Sequence, residues 1–167
     1  ARMTSIEGDS RYADVLERAL YNGILSGASL DGTRYFYVNP LAADPPAIAC
    51  RQDHEHVKGS RVQWFGCSCC PPNIARLVAS QASYLYGSSD GAVWVHHYAQ
   101  SEAEAAIGGI RVRIRQETDY PWSGAVALSV EPDREAEFEL RLRIPDWCGG
   151  ARCSIGGSRC DGPIERG

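Results

Sequence analysis

The sequence predicts an α+β protein in which a helical N-terminal part is followed by antiparallel β-strands. Apolar residues recur with helical spacing between residues 9 and 27, and the run after Pro71-Pro72 is also helical in character. Beyond residue 88 apolar and polar residues alternate, as is typical of half-buried strands. We therefore assign residues 1–88 to a helical domain and residues 89–167 to a partial β-sandwich domain.

The first helix is predicted to begin at Asp9 or Ser10, since either side chain can cap a helix N-terminus. Its apolar residues follow at intervals of three and four and end near Gly27, which places them on one face of the helix. That face is expected to pack on a core. The apolar positions are Tyr12, Val15, Leu16, Ala19, Leu20 and Ile24.

A hairpin strand and a long loop are predicted next. Asp31-Gly32 is a turn signal, and the aromatic and β-branched run 35–38 after it favours a short strand. Residues 39–63 contain three prolines and a charged stretch, which indicates a loop. A loop of this length is usually functional or packed on a larger body.

The second helix is predicted over residues 74–86, mostly buried and ended by Gly87, with Pro71 and Pro72 suited to its first turn. Four strands follow, and together they favour an antiparallel, jelly-roll-like sandwich. The strands are 92–98, 110–118, 125–131 and 136–144. Their inward faces are predicted to carry Ile110, Val112, Ile114, Val126, Leu128, Val130, Phe138, Leu140, Leu142 and Ile144.

Composition excludes several classes of partner. The chain has 167 residues and a formal net charge of -4, without a run of Lys or Arg, so neither nucleic acid nor an anionic membrane is expected to bind it. No apolar run reaches membrane-spanning length. Seven cysteines are an odd number, and three of them are crowded together, which favours metal or catalytic use in a reducing, cytoplasmic compartment.

The crowded thiols are Cys67, Cys69 and Cys70, just before the second helix. A helix N-terminus and a bound cation both favour the reactive thiolate form of cysteine. The cluster can supply two or three ligands to zinc, which needs four, or three and an open position. Within the chain, the remaining ligands could come from Cys50, Asp53, His54, Glu55 or His56. By contrast, His96 and His97 point to opposite faces of a strand and are expected to be structural.

These residues resemble glycoside hydrolase family 127, the β-L-arabinofuranosidases. The resemblance is carried by WFGCSCCPPNIAR over residues 64–76 and by LDGTRYFYVNPL over residues 30–41. It implies an α+β chain made of the C-terminal part of an (α/α)6 helical barrel and the start of a β-sandwich. It also implies a retaining exo-glycosidase with a zinc-bound cysteine nucleophile, acting on an L-arabinofuranoside. Whether the protein forms a homodimer is left open.

The resemblance also implies roles for individual residues. Cys69 matches the nucleophile and a zinc ligand, Cys70 matches a second zinc ligand, and Cys67 matches a thiol lining the sugar pocket. Tyr37, with Tyr35 as the alternative, matches a tyrosine that contacts the sugar. The other two zinc ligands, in a Glu-x-Cys pattern, and the acid/base Glu are expected before Ala1. The chain alone is therefore expected to bind zinc weakly and to be inactive.

Two other interpretations remain open from the residues alone. The thiols could form a structural, non-enzymatic zinc site closed by Cys50, His54 or His56. Alternatively, the sandwich could bind carbohydrate by stacking a sugar on an exposed tryptophan, although tryptophans on short strands usually pack in a core or at its rim. The tryptophans concerned are Trp94, Trp122 and Trp147.

Overall fold

The computed structural model describes residues 2–40, 42–50, 56–67, 69–161 and 164. The candidate ligands Asp53, His54 and Glu55 lie outside the described residues. The secondary structure is a mixture of short helices and small sheets, which confirms the predicted α+β class. The helical barrel, the sandwich and the boundary after residue 88 stay predictions. The chain divides into two compact units, one of Ala1–Asp14 with Ala82–Gly167 and the other of Val15–Gln81.

Helices precede the strands, as the sequence predicts. The helices are α1 (Thr4–Glu7), α2 (Ser10–Arg18), α3 (Pro45–Ala49) and α4 (Pro72–Ser80). The strands are β1 (Tyr86–Ser88), β2 (Ala92–Val95), β3 (Ser101–Ile107), β4 (Ile110–Thr118), β5 (Val126–Pro132), β6 (Glu139–Leu142), β7 (Ser154–Ile155) and β8 (Ser158–Arg159). Within the described residues, no helix is long and apolar enough to cross a membrane.

The two predicted helices are present, but the second is shorter than predicted. Asp9 caps α2 by accepting a hydrogen bond from the backbone N–H of Arg11 at 2.9 Å. After α2 the chain continues as π-helical and 3-10 turns to Gly27, where the sequence places the helix end. By contrast, α4 ends at Ser80, and a 3-10 turn over Gln81–Tyr84 continues it to three residues before the predicted end at Gly87. None of the residues of α4 is buried, so the prediction of a mostly buried helix is wrong.

Strand β4 has the predicted bounds and lies at the centre of an antiparallel sheet, β3-β4-β5. Its inward residues Val112 and Ile114 are fully buried. Strand β3 is not predicted, because its sequence SEAEAAI holds residues that rarely form strands. It pairs with β4 across Gly108-Gly109, whose positive φ angles of 53° and 81° suit a two-residue hairpin turn.

In the second sheet, β1-β2-β6, the prediction of purely antiparallel strands is wrong for one pair. Strand β2 pairs antiparallel with β1 but parallel with β6. The predicted inward face around β6 is correct only in part: Phe138 packs against the buried core, but Leu140 is 36% exposed and Arg143, just after the strand, is buried. Arg143 is buried because Asp14 accepts a hydrogen bond from its Nη1 at 2.5 Å and the carbonyl of His96 accepts one from its Nε at 2.6 Å.

The predicted strand 35–38 is replaced by isolated bridges in the second unit. The backbone of Tyr35 pairs with Val62 through two hydrogen bonds, of 2.9 and 3.0 Å, and also bridges to Ala28. The pairing is too short to make a strand, yet it fixes the segment that carries Tyr37. The turn before it forms as predicted, with Gly32 at a φ of 69° and the Asp31 carboxylate accepting from the Thr33 N–H.

The tryptophans of the first unit differ in environment. Trp94 is half-buried, with Gly8 against its ring and the guanidinium of Arg141 over it at 5.3 Å. Trp122 and Trp147 are 86% and 62% exposed. Trp147 stacks on Tyr120 with ring centroids 6.5 Å apart. Trp94 thus has the predicted packing role, whereas the other two lie at the surface.

Candidate active site

The candidate site lies wholly in the second unit and is built where the chain enters α4. Pro71 is the N-cap of that helix and Pro72 is its first residue, as the sequence predicts. The backbone N–H and the side-chain amide of Asn73 both donate to the carbonyl of Cys70, at 3.0 and 2.9 Å. These bonds hold Cys70 at the start of the helix, and Cys69 directly precedes it.

Tyr37 reaches the thiols because the segment that carries it pairs with the segment before the cysteines. The bridge between Tyr35 and Val62 sets these two stretches side by side. Asn39 anchors the same segment by donating to the carbonyl of Gly23 at 2.7 Å. The phenol of Tyr37 therefore comes from one segment and the thiols from another, thirty or more positions along the chain.

Tyr37 and three thiols form one contact cluster. The Tyr37 hydroxyl lies 2.6 Å from the sulfur of Cys69 and 3.5 Å from that of Cys67. The Cys69 sulfur is 3.5 Å from that of Cys67 and 3.6 Å from that of Cys70. Cys69, which the resemblance matches to the nucleophile, is thus in contact with each other member of the cluster.

The phenol is held in its protonated form by this arrangement. Its hydrogen bond to Cys69, followed by those to Cys67 and Cys70, raises the pKa of Tyr37 well above its ordinary value of 10.0. Tyr37 therefore keeps its proton throughout the neutral range. If Cys69 is a thiolate, Tyr37 must be the donor of the 2.6 Å hydrogen bond, because a thiolate has no proton to give.

Aromatic rings fix the position of Tyr37. The imidazole of His56 stacks on the phenol ring, with centroids 4.2 Å apart and planes 20° apart. Phe65, which is 5% exposed, contacts both rings from the side. Tyr35, the alternative to Tyr37, packs its ring on Phe65 at 5.5 Å. Of the two tyrosines, Tyr37 is the one that contacts the thiols.

The stacking role of His56 is not predicted from the sequence, where this residue is a candidate zinc ligand. Its position nineteen residues after Tyr37 and nine before Phe65 gives no local signal, since the three rings meet only through tertiary contacts. Arg61 is also missed. It donates two hydrogen bonds to the carbonyl of Ser26, at 3.1 and 2.5 Å. Its guanidinium also lies over the ring of Phe36, the residue before Tyr37.

The distances between the sulfurs bear on whether zinc could bind here. Two thiolates bound to one tetrahedral zinc at about 2.3 Å lie about 3.8 Å apart. The sulfurs of Cys69 and Cys70 are 3.6 Å apart, which fits two ligands of such an ion. Nowhere in the described ranges do three or more His, Cys, Asp or Glu side chains form a group that could hold a metal. The spacing of Cys69 and Cys70 is therefore compatible with two zinc ligands, as is the 3.5 Å between the sulfurs of Cys67 and Cys69.

The two histidines that are predicted to be structural belong to the first unit. His96 and His97 are 9% and 6% exposed, and the carbonyl of His97 accepts a hydrogen bond from Gln116. Burial, with the charge of Arg143 as a smaller cause, lowers the pKa of His96 below 6.5. This environment agrees with their predicted structural role. Cys50, an alternative ligand, is exposed.

Comparison with known proteins shows what the chain resembles. Residues 1–83 match the family model described as the GH127 catalytic domain of β-L-arabinofuranosidase. Residues 92–166 match the model described as the GH127 middle domain. The two models together cover most of the chain.

Individual relatives agree with these matches. A non-reducing end β-L-arabinofuranosidase from Bifidobacterium longum is 40% identical over 99% of the chain. A GH127 β-L-arabinofuranosidase from Geobacillus stearothermophilus T6 is 52% identical over 96% of the chain, with a TM-score of 0.86. A structure described as a glycoside hydrolase is 35% identical over 99% of it, with a TM-score of 0.84. The chain spans 26%, 25% and 27% of these proteins respectively, about a quarter of their length.

Proposed function

Because the chain belongs to glycoside hydrolase family 127, we propose that the whole protein is a retaining exo-acting β-L-arabinofuranosidase whose nucleophile is Cys69. The observation that carries this proposal is the 2.6 Å contact between the Tyr37 hydroxyl and the Cys69 sulfur. A phenol that keeps its proton beside a thiol at a helix start is a suitable partner for a thiolate nucleophile. The relatives named as β-L-arabinofuranosidases support the choice of substrate.

In the proposed reaction, the Cys69 sulfur attacks the anomeric carbon of the arabinofuranoside. A carbon–sulfur bond forms as the bond to the leaving-group oxygen breaks, and that oxygen takes a proton from the acid/base Glu implied by the resemblance. Water then attacks the same carbon, loses a proton to the ionised acid/base Glu and releases the Cys69 thiolate, so that two inversions give net retention. A cysteine here occupies the place that a carboxylate has in most retaining glycosidases.

Tyr37 has a positioning and charge-stabilising role in this proposal. Its hydroxyl donates a hydrogen bond to the Cys69 thiolate and so restricts the orientation of the Cys69 side chain. The stacked ring of His56 and the side of Phe65 restrict the phenol to that position. Cys67, whose sulfur also contacts the phenol, is proposed to line the sugar pocket.

Zinc is the proposed cofactor, with Cys69 and Cys70 as two of its ligands. When bound, zinc would keep the Cys69 sulfur deprotonated at neutral pH. We further propose that the chain alone is inactive, because the acid/base Glu and the Glu-x-Cys ligands implied by the resemblance are not in its sequence. Residues 1–88 would belong to the catalytic barrel and residues 89–167 to the sandwich.

The proposal is tested with the full reading frame and an aryl β-L-arabinofuranoside. Hydrolysis should be abolished by Cys69→Ala and by a zinc chelator, and should survive in Cys50→Ala, a control in which another exposed thiol is removed. Proton NMR of the first product formed should show the β-anomer. If activity persisted in Cys69→Ala or the α-anomer appeared first, the nucleophile assignment would be wrong.

A further inference from the structure

The last described elements of the chain form a short hairpin that carries a second pair of thiols. Strands β7 and β8 pair antiparallel, with Ser154 opposite Arg159. The turn between them is Gly156-Gly157, with φ angles of 58° and 83°. Two consecutive positive φ angles are typical of the two-residue turn that fixes the register of a tight hairpin.

Continuing this register by one residue sets Cys153 directly opposite Cys160. The backbone N–H of Cys160 donates to the carbonyl of Cys153 at 3.0 Å, which shows that the pairing extends to these residues. Residues opposite each other in such a pair have Cα atoms about 5.5 Å apart and side chains on the same face. This separation lies within the range of about 4.4–6.8 Å that a disulfide spans.

The two thiols are in contact and accessible. A hydrogen bond with Cys153 is the largest cause that raises the pKa of the Cys160 thiol above its ordinary value. Both cysteines are half-buried and line an open cleft of about 360 Å³. Among the described residues, its charged lining consists of two cations, Arg152 and Arg159, and one anion, Asp161.

We propose that Cys153 and Cys160 form a reactive dithiol that is oxidised to a cross-strand disulfide by low-molecular-weight disulfides bearing carboxylates. The turn presets the two sulfurs for bond formation, and the guanidinium groups of Arg152 and Arg159 attract the anionic reagent. This pair is separate in sequence from the thiols of the candidate active site, and its role goes beyond the proposed glycosidase function.

The reaction balances as two thiol–disulfide exchanges. The thiolate of Cys153, the partner of the Cys160 thiol, attacks one sulfur of the reagent, which forms a mixed disulfide and releases one reagent thiolate. Cys160 then loses its proton and attacks the Cys153 sulfur, which releases the second. The two protons lost by the cysteines go to the two released thiolates. The protein dithiol is oxidised and the reagent disulfide is reduced to two thiols.

The test uses the 167-residue chain and oxidised glutathione as the probe. After exposure, free thiols are alkylated and the chain is digested with trypsin without reduction. Cleavage after Arg152, Arg159 and Arg166 puts the two cysteines on separate peptides, 153–159 and 160–166. Mass spectrometry should find these peptides joined as the main protein disulfide. Cys153→Ser should abolish the joined pair and leave Cys160 as a mixed disulfide with glutathione.

Two further variants test whether the hairpin turn itself promotes the disulfide between Cys153 and Cys160. Cys148→Ser removes the neighbouring half-buried thiol and should leave the joining rate unchanged. Gly157→Val keeps both thiols but opposes the positive φ of the turn, so joining should slow about tenfold. Equal rates in Gly157→Val and the parent chain would overturn the proposal, as would preferential linkage of either cysteine to Cys148.

Discussion

The buried ion pair between Asp14 and Arg143 gives the most quantitative test of the fold. The pair joins α2 to the end of β6 within the first unit, with 2.5 Å between the Asp14 carboxylate oxygen and Nη1 of Arg143. The two side chains are 9% and 2% exposed. The other side of the guanidinium donates to the carbonyl of His96. We therefore expect Asp14→Ala to remove from a buried cation the carboxylate that it contacts at 2.5 Å.

The magnitude follows from burial. Removing one partner of a buried ion pair costs about 3–5 kcal/mol, because the remaining charge stays desolvated. Removing both partners, as in Asp14→Ala with Arg143→Met, leaves no buried charge and should cost much less than the sum of the single changes. An exposed pair behaves differently. Arg113 and Glu104, at 3.2 Å and more than half exposed, should contribute about 0–1 kcal/mol.

The assay is urea unfolding followed by tryptophan fluorescence, applied to the parent chain, both single variants and the double variant. Glu104→Ala serves as the matched control for an exposed pair. A coupling energy of about 2–3 kcal/mol between Asp14 and Arg143 is expected. Single-variant losses below about 1 kcal/mol that simply add in the double variant would refute the reasoning.

Three further predictions concern single residues. In the full reading frame, Tyr37→Phe should lower kcat about 10- to 100-fold, since a hydrogen bond to a charged sulfur is lost, whereas Tyr35→Phe should not; steady-state kinetics on the aryl glycoside decides. Because burial lowers the pKa of His96, the unfolded chain binds a proton before the folded chain does, and stability should fall as pH drops below 6.5. His96→Gln should flatten that fall in urea midpoints measured between pH 7.5 and 5.5, and an unchanged slope would exclude His96 as the source. Gly87→Ala would put a Cβ 2.8 Å from Nε2 of His96 and should cost about 1–3 kcal/mol in urea unfolding, against little change for Gly91→Ala, which has open space.

Strongly alternating segments were predictable from the sequence, and weakly patterned ones were not. Strand β4 alternates between buried apolar and exposed polar residues along its whole length, so its bounds and inward face are confirmed. Strand β3 alternates only Ala with Glu, and it forms because β4 supplies its hydrogen bonds. The parallel pairing of β2 with β6 depends on a long connection, about which local sequence gives no information.

Burial was the other property that local sequence could not supply. The apolar residues of α4 predict a buried helix, yet none is buried, since burial depends on which other segments pack against a helix. The same limit applies to Arg143, whose charge predicts exposure and whose partner lies 129 residues away in the sequence. A charged side chain is buried here because it meets a counter-charge.

The candidate site was predictable in its chemistry and not in its contacts. The motif around Cys69 identifies the family and the position of the thiols at a helix start. The approach of Tyr37 depends on the bridge between Tyr35 and Val62, and the stacking of His56 depends on tertiary packing. These contacts turn a list of candidate residues into a cluster centred on one sulfur.

The most direct test of Cys69 as the nucleophile is to trap the covalent intermediate in which the sugar is bound to the protein. The full reading frame would be mixed with an activated aryl β-L-arabinofuranoside, quenched with acid during turnover, digested and analysed by peptide mass spectrometry. The nucleophile assignment predicts one pentosyl group on the sulfur of Cys69, and no labelled peptide in Cys69→Ala. A pentosyl group on a carboxylate instead, or full turnover by Cys69→Ala, would contradict it.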